Sequence, residues 1–293
     1  MTLFLASIIA AITAGTSLLL TTLGEIITEK SGVINLGLEG MMLVGALAGF
    51  ATSHYTGSPV LGLIAAGVAG GMISCIHAFL TINLRCNQIV SGLALAILGS
   101  GLSSFFGQRM IGRTASGFKP VVLDLDVIVF VAFALAFVLW GFLKYTRWGL
   151  NLSSVGQNPA ASDAAGVNVF RVRYMAVIFG GVMAGLGGAY LSLAYTQMWA
   201  ENIVAGRGWI AIALVIFAMW DPIKAMLGAY LFGAVVAATL RIQAVGANFP
   251  FYILNMAPYI VTILALIIIT VFKNIRKKLG APEALGLPFS RES

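Results

Sequence analysis

The sequence predicts an all-α polytopic membrane protein of about nine transmembrane helices, with the N-terminus outside and the C-terminus cytoplasmic. Three observations carry that expectation. Of the 293 residues, 60% are hydrophobic and only 9% are charged, with a mean hydropathy of +0.99, whereas an ordinary soluble domain carries roughly 25% charged residues. The apolar residues gather into runs near the roughly 20 residues that a helix needs to cross a hydrocarbon layer. The basic residues stand between those runs, the distribution that retention of Lys and Arg on the cytoplasmic side produces. The net charge of +7 therefore belongs to topology and gives no ground for nucleic-acid binding.

The runs lie at residues 3–23, 36–52, 60–82, 88–105, 126–143, 174–196, 208–220, 223–240 and 252–272. The first has no Lys or Arg before it and exceeds a signal-peptide core, so it reads as a retained helix. The seventh is short and reads as a broken or re-entrant segment, which is tolerated only where protein or water satisfies its backbone. The last precedes Lys273, Arg276, Lys277 and Lys278, a cluster that fixes the cytoplasmic side. Counting back, the internal side also collects Lys30, Arg85, Lys144, Arg147, Arg171, Arg173, Lys224 and Arg291. That leaves Arg109, Arg113, Lys119, Arg207 and Arg241 outside. The expected organisation is a bundle over residues 1–273, containing a cytoplasmic loop at 144–173, followed by a cytoplasmic tail at 274–293.

Charge inside an apolar stretch costs about 2.5–3.5 kcal/mol at the bilayer centre. Glu25, Glu29, Lys30 and Glu39 flank GVINLGLEG at 32–40, where three glycines and Asn35 interrupt the helical pattern. Two readings stand. One is a discontinuous helix on a translocation path, with Asn35 and Glu39 presenting polar groups. The other is an interfacial loop with solvated charges. A second polar group, Asn83, Arg85, Asn87, Gln88 and Ser91, leads into the fourth span. Asn83 and Asn87 read as helix caps, while Gln88 and Ser91 join Asn35 and Glu39 as candidate pathway residues. His54 and His77 have no partner at metal spacing and read as structural, and Cys75 and Cys86 are too few for a metal site. Gly67 and Gly71, like Gly181 and Gly185, are one turn apart and suit close helix packing.

The polar stretch RWGLNLSSVGQNPAASDAAGVNVFRVR at 147–173 contains a complete short helix. Asn158 is an N-cap, Pro159 suits the first helical position, residues 160–165 form the body with Asp163 in it, and Gly166 supplies a left-handed stop. So short a helix does not persist alone in water. Its alanines at 160, 161, 164 and 165 offer a small-residue face for a groove on another surface, either a cytoplasmic partner or the chain's own bundle.

Enzymatic motifs are missing from the sequence: it contains no Gly-Lys-Ser or Gly-Lys-Thr of a Walker A loop, no HExxH and no GxSxG. Asn158-Pro159-Ala160 spells the aquaporin tripeptide, but a facing pair would be required and only one is present. An ion-coupled secondary transporter requires a buried ionisable coupling site, and none is obvious in the later spans.

GEIITEKSGVINLGLEGMMLVGA (24–46), NQIVSGLAL (87–95), VGQNPAASDAAGV (155–167) and GRGWIAIALVIFAMWDP (206–222) occur in the order seen in a known family. Over nearly its whole length the chain resembles the permeases of ATP-binding cassette (ABC) importers for ribose-type sugars, branched-chain amino acids and, most closely, nucleosides. The resemblance implies a multi-pass permease of the bacterial inner or plasma membrane. It implies that Asn158, Pro159, Ala161, Asp163 and Gly166 belong to the coupling helix that seats in an ATPase, and that 32–40 lies near a central path. No cofactor is expected on this chain, because ATP would be hydrolysed by a partner ATPase. A second, related permease chain and an extracytoplasmic binding protein complete the expected complex. Nucleosides are the expected substrate and simple sugars such as ribose the alternative. Ribose-type members carry an additional N-terminal helix, which this chain is expected to lack.

Overall fold

The computed structural model describes residues 3–244, six isolated positions between 256 and 271, and residues 280–290. The expected span at 252–272 lies almost wholly outside the described residues, as do Lys273, Arg276, Lys277, Lys278 and Arg291. The described chain is all-α apart from one small hairpin, Pro120–Val122 against Leu125–Asp126. Among the described residues, six helices are long and apolar enough to cross a membrane.

Helix α1 (Leu3–Lys30) is longer than the apolar run suggested, so Glu25 and Glu29 lie within it. After a break, α2 (Leu38–Thr56) and α3 (Pro59–Ala78) follow, the latter running into a π-helical turn at Phe79–Asn83. Next come α4 (Gln88–Gly107), α5 (Val127–Tyr145), α6 (Arg147–Gln157) and α7 (Pro159–Ala164). The long α8 (Val169–Tyr190) also ends in a π-helical turn, Leu191–Tyr195. The short α9 (Arg207–Phe217) and α10 (Pro222–Ala244) complete the described bundle.

Local chemistry sets many of these boundaries. The side chains of Asn87, Asp126, Thr146, Asn158 and Asn168 each accept a hydrogen bond from a backbone N–H in the first turn of the helix that follows, filling orphan donors. Asn87 is thus the cap expected of it. Asn83 is not: it ends the π turn and its Oδ1 accepts from the Tyr174 hydroxyl. The short connection after α5 also holds one helix more than expected, because Thr146 starts α6, whose Leu152 and Val155 are buried.

Helix α8 is the hub, packing on α1, α2 and α3. Glycine permits the approach. A Cβ at Gly45 of α2 would stand 2.6 Å from the Gly185 carbonyl oxygen, and one at Gly70 of α3 would stand 2.9 Å from the Gly185 Cα. Backbones in contact at these distances leave no room for side chains, as expected of small residues between membrane helices. The outward faces of α3, α4 and α5 carry exposed apolar residues such as Ile64, Met72, Ile97 and Phe133, which suits a hydrocarbon surround.

At 11 residues and about 1.5 Å per residue, α9 reaches only about half the 30 Å of a hydrocarbon core. The short seventh run is therefore a half-helix.

Candidate functional site at the helix break

Residues 31–37 carry the chain from α1 to α2 without regular structure. Gly32 makes the first turn with φ +88°. A segment of this kind inside a bundle must find partners for its backbone groups from side chains, and the partners here are buried. The Ile34 N–H donates to Gln88 Oε1 at 2.8 Å, and the Ile34 carbonyl lies 3.0 Å from His77 Nε2. The other ring nitrogen of His77 meets Ser91 Oγ at 3.0 Å. The Asn35 N–H donates to Glu25 Oε1 at 3.1 Å, and Asn35 Oδ1 accepts from the Gly37 N–H at 2.9 Å. Glu25, Asn35 and His77 are fully buried. The three carboxyl groups flanking the break, Glu25, Glu29 and Glu39, are therefore enclosed by protein, while Lys30 is half-buried.

Glu39 connects this break to the half-helix. Its two carboxyl oxygens accept from the N–H groups of Gly206 and Gly208, at 2.8 and 2.7 Å. Those donors are the unfilled N–H groups at the start of α9, where the helix dipole also favours negative charge. Gly206 has φ +81°, and a Cβ on Gly208 would stand 2.5 Å from the Glu39 backbone nitrogen. Both positions need glycine. Arg207 lies between them, half-buried, at the first position of α9.

The far end of α9 is held by the same region of sequence. Trp220 donates its Nε1–H to Glu29 Oε2 at 2.7 Å, and both it and Met219 before it are in left-handed conformation. A half-helix is thus suspended between Glu39 and Glu29.

Of the four candidate pathway residues, Asn35, Gln88 and Ser91 converge around Ile34, and Glu39 sits at the start of α2. Each is engaged by protein groups. Gln88 also lines a cavity of about 320 Å³ with Ile34, Arg85, Asn87, Gly286 and Pro288, and its Nε2 has no partner among the described residues. The sequence reading missed His77, Trp220 and the Gly206–Gly208 pair as members of this site. The shortness of the seventh run was the available signal for the glycines; nothing local marked the others.

The short helix at 159–164 is built from the expected parts. Asn158 Oδ1 accepts from the Ala161 N–H at 2.9 Å, Pro159 opens the helix, and Gly166 follows it with φ +86°. Ser162 is buried, whereas Ala160, Ala161, Ala164 and Ala165 are exposed. Among the described residues nothing covers the alanine face.

Residues 7–272 match the family described as the branched-chain amino acid transport system / permease component. The chain is 40% identical to the putative glucose ABC transporter permease protein TsgC13 of Haloferax volcanii, over 97% of each chain. It is 34% identical to the guanosine ABC transporter permease protein NupQ of Bacillus subtilis, over 93% of this chain and 92% of that one. Identity to the nucleoside ABC transporter permease protein NupC of Lactococcus lactis is 35%, over 86% and 88%. No solved structure matches the chain.

Proposed function

The chain belongs to the branched-chain amino acid transport permease family of ABC transporters, and from that premise we propose that it moves nucleosides across the plasma membrane by alternating access, driven by ATP hydrolysis on a partner chain. The observation that carries the coupling part is the uncovered α7. A six-residue helix cannot pay its own nucleation cost, yet this one is capped at both ends and turns its alanines outward. That is the form expected of an element completed by another protein. The partner is a cytoplasmic ABC ATPase, with Asn158, Pro159, Ala161, Asp163 and Gly166 forming the seat.

The transported solute is assigned to nucleosides because two of the relatives carry guanosine and nucleoside in their names. A second reading, a simple sugar, rests on the glucose named for the Haloferax volcanii relative. Family membership sets aside the ion-coupled secondary transporter.

On this reading α9 and the break form the moving element. Glu39 and Glu29 fasten α9 to the end of α1 and the start of α2, so these parts shift together and expose or close the polar groups around Gln88 and Asn35. One bundle forms half a pore; a second, related permease chain supplies the other half, and an extracytoplasmic binding protein delivers the solute.

Purification of the tagged chain from its native membrane tests the proposal. Recovery of an ATPase and a second permease is expected, with ATP-dependent uptake of radiolabelled guanosine by the reconstituted complex. Uptake of guanosine by this chain alone without ATP would overturn the ATP-driven reading. Uptake of glucose but not guanosine would transfer the assignment to sugars.

A further inference from the structure

Residues 280–290 lack regular helix or strand structure, yet Pro282, Ala284 and Phe289 are buried. Their contacts lead to three separate elements. The Ala284 N–H donates to the Gly156 carbonyl of α6 at 2.9 Å, and the Gly286 N–H donates to the Gly32 carbonyl in the helix break at 3.0 Å. Arg173 of α8, only 2% exposed, donates from Nε to the Ser31 carbonyl at 3.2 Å and from Nη1 to the Leu287 carbonyl at 3.1 Å. The Phe289 ring lies 5.6 Å from that of Phe170.

We infer that this segment is a tie between the coupling loop and the broken helix, and that Arg173 and Phe289 are positioning residues for transport. The inference rests on the proposed coupling role of α7. Gly156 precedes the Asn158 cap by two residues, so a displacement of α7 reaches Ala284 through one hydrogen bond. From there it reaches Gly32 through Gly286, two residues on. The tie does not release easily. If the segment lifted away, the Arg173 guanidinium would lose the Leu287 carbonyl as an acceptor, and the Gly32 and Gly156 carbonyls would lose their donors, which makes separation costly. Phe289 would expose an aromatic ring.

Gly32 shows how closely the parts fit. A Cβ there would meet Arg173 Nη2 at 3.0 Å and the Ala284 carbonyl oxygen at 3.2 Å. The tie also bounds the site. Gly286 and Pro288 line the cavity that Ile34, Arg85 and Gln88 line from the other side, so movement of the segment changes the space in front of Gln88.

The test uses the complete complex in liposomes, with radiolabelled guanosine and glucose as probes and the number of solute molecules moved per ATP hydrolysed as the readout. Phe289→Ala is expected to lower that ratio by at least about fivefold, the low end of a typical coupling effect, while ATP hydrolysis continues. Phe289→Leu restores most of it. A merely structural role would lower the yield of folded complex and leave the ratio alone, and an unchanged ratio in Phe289→Ala overturns the tie. Gly166→Val is run beside it: normal coupling in that variant sinks the α7 reading itself, whereas uncoupling by Gly166→Val with normal Phe289→Ala sinks the tie alone.

Spin labels at the exposed positions Glu283 and Leu150 give a measurement that no folding defect can obscure. Their separation is expected to stay constant between the ATP-free and ATP-bound complex while the distance from Glu283 to a label at Tyr55 changes. A Glu283–Leu150 distance that changes with ATP binding would overturn the tie.

Discussion

Glu29 accepts a hydrogen bond from the Trp220 indole across 191 residues of sequence, at 2.7 Å and in a fully enclosed setting. It fastens the exit of the half-helix α9 to α1 at the second of two left-handed residues, Met219 and Trp220. Trp220→Phe keeps the ring and removes the donor. It is expected to destabilise the chain by about 1–3 kcal/mol, the cost of an unpaired buried polar group. Thermal unfolding of the detergent-purified complex reads the loss.

Glu39→Ala removes both acceptors from the start of α9 and leaves the Gly206 and Gly208 N–H groups unpaired in the bundle. Its effect should be larger than that of Trp220→Phe, with transport abolished and folded yield reduced. Glu39→Gln retains one acceptor oxygen and is expected to fall between wild type and Glu39→Ala in uptake and in melting temperature. Wild-type uptake and melting temperature in Glu39→Ala would show that the contact is dispensable.

At Gly166 the question is conformation, because a Cβ there would meet nothing within 4 Å. A left-handed residue with a side chain costs about 1–2 kcal/mol, with Asn the tolerated exception. Gly166→Asn is therefore expected to transport normally, while Gly166→Val uncouples ATP hydrolysis from uptake without affecting membrane insertion. Asp163→Lys alters the same helix electrostatically and is expected to uncouple in the same way. Uptake and ATP hydrolysis measured on one preparation separate the outcomes.

The glycine contacts between helices give a paired prediction. Gly70→Leu places a large side chain against the Gly185 backbone and should prevent accumulation of folded protein. Gly141→Leu, where a Cβ meets nothing within 4 Å, should leave folded yield unchanged. Fluorescence-detected size exclusion of the tagged variants compares the two directly.

What could be read in advance follows the range of the forces involved. Helix α7 was legible to within one residue because its signals are local: a cap, a proline and a left-handed glycine within nine positions. The break, expected at 32–40 and found at 31–37, was legible because glycine and Asn35 interrupt an apolar pattern. Its surroundings were not, since the choice between solvated charge and enclosed charge depends on partners far along the chain. Glu39 finds Gly206 across 167 residues, and His77 finds Ile34 across 43. Asn83 misled because a polar amide near a helix end has the composition of a cap, while its acceptor oxygen is taken by Tyr174. Helix α6 passed unnoticed because its buried side, chiefly Leu152 and Val155, is too brief to establish a period.

The tie at 282–289 also sets an order of events in biosynthesis. These residues leave the ribosome after every helix described here, yet they pair with Gly32, Gly156 and Arg173, which emerged much earlier. Until they arrive, the Arg173 guanidinium lacks one acceptor and the end of the first helix is uncovered. The face that carries Gly32, Gly156 and Arg173 is therefore finished last, and on the proposed reading an ATPase seated beside it meets its final shape only after synthesis has passed Phe289. A chain interrupted before that point would carry its membrane helices and lack the surface on which assembly depends.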